Sequence, residues 1–408
     1  MTVVHRSRVR GSWAFLAGSL LVHAGNYAYN LFAARLLTPA EYSDVALAVT
    51  GLLLVGFVTV AFQTATARTV AGGTHDEEMQ ARLARWFSNR AFQTGLVFAV
   101  LLAASAQVLA LRFRTESMAP FIGVAIALPW AFQLGARRGW AQGSGRFGSL
   151  TASFQVEMAV RILLGIGAVA AGFGVAGAVG GLTASVITSV VVLRSRSSEA
   201  AIPDPGARRE ILAALIPSLA LLAGEGLMNH VDTIIVKQAF APDLAGRFAA
   251  VALLGRSVFF LTWPVSVLLF PAAAEKAARG ESVGRITARG VGAVAAAGLL
   301  ATAVGFAVPE WVIGLALGEG YAVEAGILGP YLLATTLFAC SATLTSLKLA
   351  TGDNLAGYAS LAAGVVVTGA LTVFHASFDV VVWVQVILMA AYLVAAALWT
   401  LRGGAQKQ

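Results

Sequence analysis

About twelve stretches, each near twenty apolar residues, fill this 408-residue chain, and no connection between them is roomy enough for a soluble domain. A helix needs ~20 apolar residues to cross a hydrocarbon core of ~30 Å. Within lipid, only a backbone that satisfies its own N–H and C=O groups can span. The pattern therefore predicts an all-α polytopic membrane protein of about twelve transmembrane helices. Charged residues make up only 12% of the chain against 58% hydrophobic ones, too few to solvate the surface of a soluble fold. Function must then reside between helices or at their ends.

The spans read as 13–34, 44–66, 90–111, 117–135, 148–171, 174–193, 210–239, 245–270, 287–308, 325–347, 356–374 and 378–401. With the N-terminus in the cytoplasm, the inner segments and their flanks hold about 21 of the 28 Lys and Arg. The longest outer loop, Pro309 to Glu324, has three glutamates and no Lys or Arg. This is the positive-inside asymmetry. It predicts a cell inner (cytoplasmic) membrane protein with both termini cytoplasmic, and it assigns the net charge of +8 to anionic lipid rather than nucleic acid. The first stretch follows Arg6, Arg8 and Arg10, is longer than a secretory leader core, and is expected to be retained. Cys340 is the only cysteine, which rules out a disulfide or a cysteine-based metal site within one chain.

The longest polar stretch lies almost at mid-sequence and contains Ser197, Ser198, Pro203, Pro205 and Gly206. It reads as a flexible cytoplasmic linker, 194–209, between an N-terminal six-helix lobe at 1–193 and a C-terminal one at 210–408. A shift of 203 residues aligns Asn26 with Asn229 and Pro39 with Pro242, so the halves are expected to be a duplication. Met79, Leu83, Trp86 and Phe87 recur at helical spacing, predicting a short interfacial helix over 75–90.

Ionisable groups near mid-bilayer are costly, so they face a partner or a cavity and often mark a substrate path. Glu157 and Arg161 lie i,i+4 on one face of the fifth span; Glu225, Asn229 and Asp232 share one face of the seventh. Arg256 lies near the middle of the eighth and needs an acid such as Glu225 or Asp232, or an anionic ligand. Asn26 and Asn30 mark one stripe of the first. Two readings stay open for each group. The Glu157–Arg161 pair is either a neutralised lock or part of a site, and the asparagines are either interhelical glue or ligands. Arg35, Lys237 and Arg247 lie near helix ends, where their side chains can snorkel. His230 reads as a polar contact rather than a proton relay.

There is no Walker loop, no His/Cys/Asp cluster at metal-ligand spacing and no aspartate-rich diphosphate motif. No enzyme and no cofactor are expected.

Several segments together resemble a known family. Ala34 to Ser43 is similar to the turn after the first helix of polysaccharide-biosynthesis, O-antigen-type flippases, where Leu-x-Pro-x-x-Tyr/Phe-Gly is usual; Ser43 replaces the glycine here. Arg138 to Phe147, followed by Glu157 and Arg161, resembles that family's fourth-to-fifth helix region. Asp232 to Lys237, Pro242 to Gly246, Pro271 and Gly318 to Tyr321 add to the likeness, which covers about residues 11–400 of a chain short for the family. The resemblance implies the multidrug/oligosaccharidyl-lipid/polysaccharide exporter superfamily, with two six-helix lobes around a central cavity. It implies a transporter that flips a polyprenyl-diphosphate-linked oligosaccharide by alternating access. Membrane lipids and a glycan polymerase or glycosyltransferases would be its partners, and a monomer is expected.

A diphosphate crossing lipid needs its lost hydration replaced, ideally by arginine. Arg161 and Arg256 are first for that role, one per lobe, with Arg35 a weaker third. Asn26, Asn30 and Asn229 would bond sugar or phosphate, and Glu157, Glu225 and Asp232 would hold the arginines or couple to protons. The alternative is a cation- or proton-coupled small-molecule antiporter of the same superfamily, in which Glu225 and Asp232 dominate. A glycan ligase or polymerase would need a large catalytic outer loop, and Pro309 to Glu324 is a poor one. A membrane scaffold would leave Arg256 unexplained.

Overall fold

Wherever the computed structural model describes the apolar stretches, they are helical; it covers residues 18, 21–71, 77–193, 200–202, 205–318, 320–321 and 326–405. The helices are α1 (21–36), α2 (Pro39–Ala71), α3 (Glu77–Phe113), α4 (Ala119–Gly143), α5 (Phe147–Val160, prolonged to Phe173), α6 (Gly174–Val192) and α7 (Pro205–Ala239). They continue as α8 (Pro242–Gly255), α9 (Ser257–Ala278), α10 (Gly284–Ala307), α11 (Glu310–Leu317), α12 (Leu328–Ala350), α13 (Leu355–Val373) and α14 (Phe378–Ala405). Among the described residues, ten helical runs are long and apolar enough to cross a membrane. One of them, Phe147–Val192, is 46 residues long and folds back on itself, α5 packing along α6. Gly172 and Gly174 form its corner with φ of 91° and 51°, backbone that side chains with a Cβ resist. Counted as two crossings, this hairpin makes eleven among the described residues; with α1, described from residue 21, the all-α fold is in line with the about twelve expected.

The chain divides into two compact units, Met1–Ile216 and Pro217–Gln408. The division falls inside α7. Of the linker expected at 194–209, residues 194–199 and 203–204 lie outside the described residues, and the chain is helical from Pro205.

In the first unit α4 is the central post, packed against α2, α3 and α6. The sequence makes this possible by placing Gly135, Gly139 and Gly143 one turn apart. A Cβ on them would sit 2.2, 2.2 and 2.6 Å from the carbonyl oxygens of Thr59, Gln63 and Ala67 on α2. Apolar contacts gain little in lipid, so backbones that can approach closely associate best. In the second unit α12 holds the corresponding place, packed against α9, α10 and α14. Gly298 there meets Thr336, and Gly224 and Gly364 bring α7 against α13.

Three local expectations change. The interfacial helix expected over 75–90 is the start of α3, one uninterrupted 37-residue helix. Continuing the helix keeps its carbonyls bonded, whereas a break would orphan four of them at the interface. The eighth span is broken rather than continuous, α8 ending at Gly255 and α9 starting at Ser257, with Arg256 at the joint. Finally, α4 runs eight residues past the expected end of its span, so Arg137 and Arg138 belong to a helix and not to a loop.

Candidate functional site

Two groups of buried charge stand out, one in each unit. In the first, α5 supplies Ser153, Glu157 and Arg161, α4 supplies Arg138 and α1 supplies Asn26. Glu157 sits one helical turn from Arg161 and accepts from its Nη2 through Oε1 at 2.6 Å. Its other oxygen, Oε2, accepts from Arg138 Nη2, also at 2.6 Å. Asn26 Oδ1 takes Arg161 Nη1 at 2.7 Å, and Ser153 Oγ takes Arg138 Nε at 3.1 Å. The guanidinium of Arg138 lies 3.7 Å above the ring of Phe154. Immediately beyond, Arg161–Ile166 relaxes into a wider π-helical turn, a feature frequent at functional sites.

The balance of this group is uneven. Two guanidinium groups share one carboxylate, leaving one positive charge in excess. Arg161 Nε is buried without an acceptor among the described residues. The side chains of Arg161 and Glu157 keep 16% and 18% of their surface accessible, so the group is not sealed. Such an arrangement can accept an anion with at least two oxygens.

In the second unit, Asp232 of α7 takes Arg256 Nη2 at 2.6 Å through Oδ1, and Tyr331 of α12 donates its hydroxyl to Oδ2. Arg256 also donates to Thr233 Oγ1 at 2.7 Å. Asp232 is wholly inaccessible, and one cation meets one anion. This triad pins the α8–α9 joint to α7 and α12.

The remaining candidates spread out. Asn30 spends its amide on the Asn26 carbonyl of its own helix, at 2.8 Å. Arg35 is exposed in the last turn of α1. It lies nine residues beyond Asn26, about 13.5 Å along the axis, so it does not join the Arg161 group. Asn229 approaches His230 Nε2 at 3.4 Å and lines a cavity of about 10 Å³ with Tyr331, Thr335 and Gln385. Glu225 lines another of about 30 Å³ with Thr262, Thr343 and Ser346; no Lys or Arg pairs with it among the described residues. Lys237, expected to snorkel, is instead 1% exposed. His230 is buried, 3.4 Å from the Asn229 amide.

Sequence reading passed over Arg138 and Tyr331. Arg138 stood in the segment that resembled the flippases, and that was its one signal. Tyr331 had none, since it reaches Asp232 across 99 residues of chain.

Comparison with known proteins bears on the family and the fold. Residues 32–325 match the model of a family described as polysaccharide biosynthesis protein. A search of the curated proteins finds no sequence match. Among solved structures, an inward-facing multidrug resistance MATE family transporter of the MOP superfamily has a TM-score of 0.74 at 14% identity, covering 94% of each chain. The lipid II flippase MurJ in an inward closed conformation scores 0.75 at 11% identity, covering 95% of this chain and 87% of its own. A MOP superfamily transporter from Pyrococcus furiosus scores 0.61 at 14% identity, covering 96% and 95%. These likenesses establish the fold.

Proposed function

Because the chain belongs to the polysaccharide biosynthesis protein family and has the fold of the MOP superfamily transporters, we propose that it flips a lipid-linked oligosaccharide or polysaccharide precursor. The cargo hangs on a polyprenyl diphosphate and crosses the cytoplasmic membrane by alternating access, with both termini of the protein in the cytoplasm. The observation that carries this reading is the excess positive charge of the Arg138–Glu157–Arg161 group. A diphosphate diester bears about two negative charges, and moving them through lipid uncompensated is prohibitive. Arg161 and Arg138 offer forked donors that match phosphate oxygens, and Asn26 aims Arg161. Arg256 serves as an internal support, because its charge is already spent on Asp232. The protein works as a monomer, without cofactor or catalysis, receiving its cargo from glycosyltransferases and passing it to a glycan polymerase.

The test is flipping of a fluorescent prenyl-diphosphate sugar in proteoliposomes. A hydrogen bond to a charged group contributes ~1.5–3 kcal/mol, so Arg138→Ala and Arg161→Ala should each slow flipping at least about tenfold at unchanged protein level. Unimpaired flipping in both variants overturns the proposal. One observation favours a second reading, a cation-coupled small-molecule antiporter: Glu225 has a buried oxygen with no partner among the described residues, beside its cavity. Cation-driven dye efflux that Glu225→Gln abolishes would support that reading instead.

A further inference from the structure

Glu157 occupies the donors that the headgroup needs. Its two oxygens take one Nη2 from each arginine at 2.6 Å, so the carboxylate holds both forks where phosphate oxygens would otherwise bind. A diphosphate entering beside an ionised Glu157 would put three negative charges against two positive ones in a medium of low dielectric. One added proton restores neutrality and frees both guanidinium forks. We propose that headgroup binding is linked to the uptake of one proton by the Glu157 carboxylate, and that headgroup release expels it. This rests on the function proposed above and adds to it what becomes of the Glu157 charge when the headgroup takes the two arginines.

Among the described residues, those bonded to Glu157 or its arginines include no second carboxylate. Arg138 on α4 and Arg161 on α5 are its charged contacts. From α1 come the uncharged Asn26 and the phenol of Tyr29, the latter committed to the Ala178 carbonyl at 3.0 Å. From α6 come hydroxyls and no ionisable group: Ser189 is spent on the Ser153 carbonyl and Ser185 on the Leu182 carbonyl of its own helix. His23, one turn before Asn26, Tyr27 and the distant Arg35 are the remaining titratable groups among the described residues of α1. On binding, the proton passes from water to a Glu157 oxygen released by its arginine, and the neutral O–H can then donate to a phosphate oxygen. No covalent bond to carbon or phosphorus changes.

The experiment uses the purified full chain and a farnesyl-diphosphate N-acetylglucosamine probe, a diester whose own charge stays constant between pH 6 and 8. Calorimetry in buffers of different ionisation enthalpy counts the protons taken up for each probe bound. In the wild type, uptake of one proton makes affinity weaken about tenfold per pH unit. Glu157→Gln, neutral at every pH, should bind more tightly at pH 8, show no uptake and lose the pH slope. Glu157→Asp should keep the uptake. Equal uptake in wild type and Glu157→Gln would place the proton elsewhere, on His23 for instance, and overturn the proposal. So would a pH-independent wild type whose binding still depends on Arg161; either result leaves the flippase reading intact. A wild type that does not bind the probe at all would sink both. The wild-type slope decides the matter even if the glutamine variant folds poorly.

Discussion

The two units solve the same packing problem and spend their buried charge differently. Each centres on its fourth span, α4 in one and α12 in the other. In each, the first span offers a carbonyl to the fifth. Gly18 accepts from Gln155 at 2.9 Å, and Leu221, 203 residues later, accepts from Ser360 at 3.2 Å. The carbonyls keep the spacing at which the sequence hinted at a duplication, whereas the donors, Gln155 and Ser360, are offset by two residues from it. At the same spacing Glu157 corresponds to Ser360 and Arg161 to Gly364, so what is a charged group in one unit is a close helix contact in the other. The second unit's own pair, Asp232 and Arg256, is balanced, sealed and tied to Tyr331. Burial of a charge is therefore no mark of a site by itself. An unbalanced and partly accessible charge is a better one: Arg161 and Arg256 each keep an Nε without an acceptor among the described residues, but only the first group combines that with excess charge and accessible surface.

This contrast can be broken by substitution. The largest effect is expected in the balanced group. Arg256→Met leaves Asp232 buried without its cation and should cost about 3–5 kcal/mol, seen as a lower melting temperature and a poor yield. The double variant Asp232→Asn/Arg256→Met should recover most of the loss if the pair is only structural. Failure of transport in a stable double variant would move the second unit's triad into the transport machinery. Next comes the post of the first unit. Gly139→Val forces a side chain onto the Gln63 carbonyl, 2.2 Å from the new Cβ. Overpacking of this kind costs ~1–3 kcal/mol, and a thermal melt unchanged from wild type would refute the close approach. The smallest effect belongs to Arg35→Ala. An exposed residue away from such features shifts energies by about 0.5 kcal/mol or less, so flipping should stay within about twofold. A larger loss would return Arg35 to the site.

Much of the fold was legible in the chain. Lipid forbids unsatisfied backbone, so each apolar stretch of sufficient length had to be a helix, and the positive φ at Gly172 and Gly174 favours glycine at those two positions of the corner. The i,i+4 pairing of Glu157 with Arg161 was legible too, because one helical turn sets it. The partners from other helices were not. Arg138 looked like a loop charge because basic residues usually end a span, yet α4 carries it inward to within 2.6 Å of Glu157. Arg256 and Arg161 looked alike in sequence, each a lone cation in an apolar run. Only tertiary contact gave one a single acid and a tyrosine and made the other share its acid with a second arginine.

The sequence by itself thus determined a dozen helices in lipid, because hydrogen bonding within a helix needs nothing beyond its own residues. Which charges are spent and which remain available was decided only in the tertiary structure, because charge balance is a property of side chains that meet in space from helices far apart in the chain.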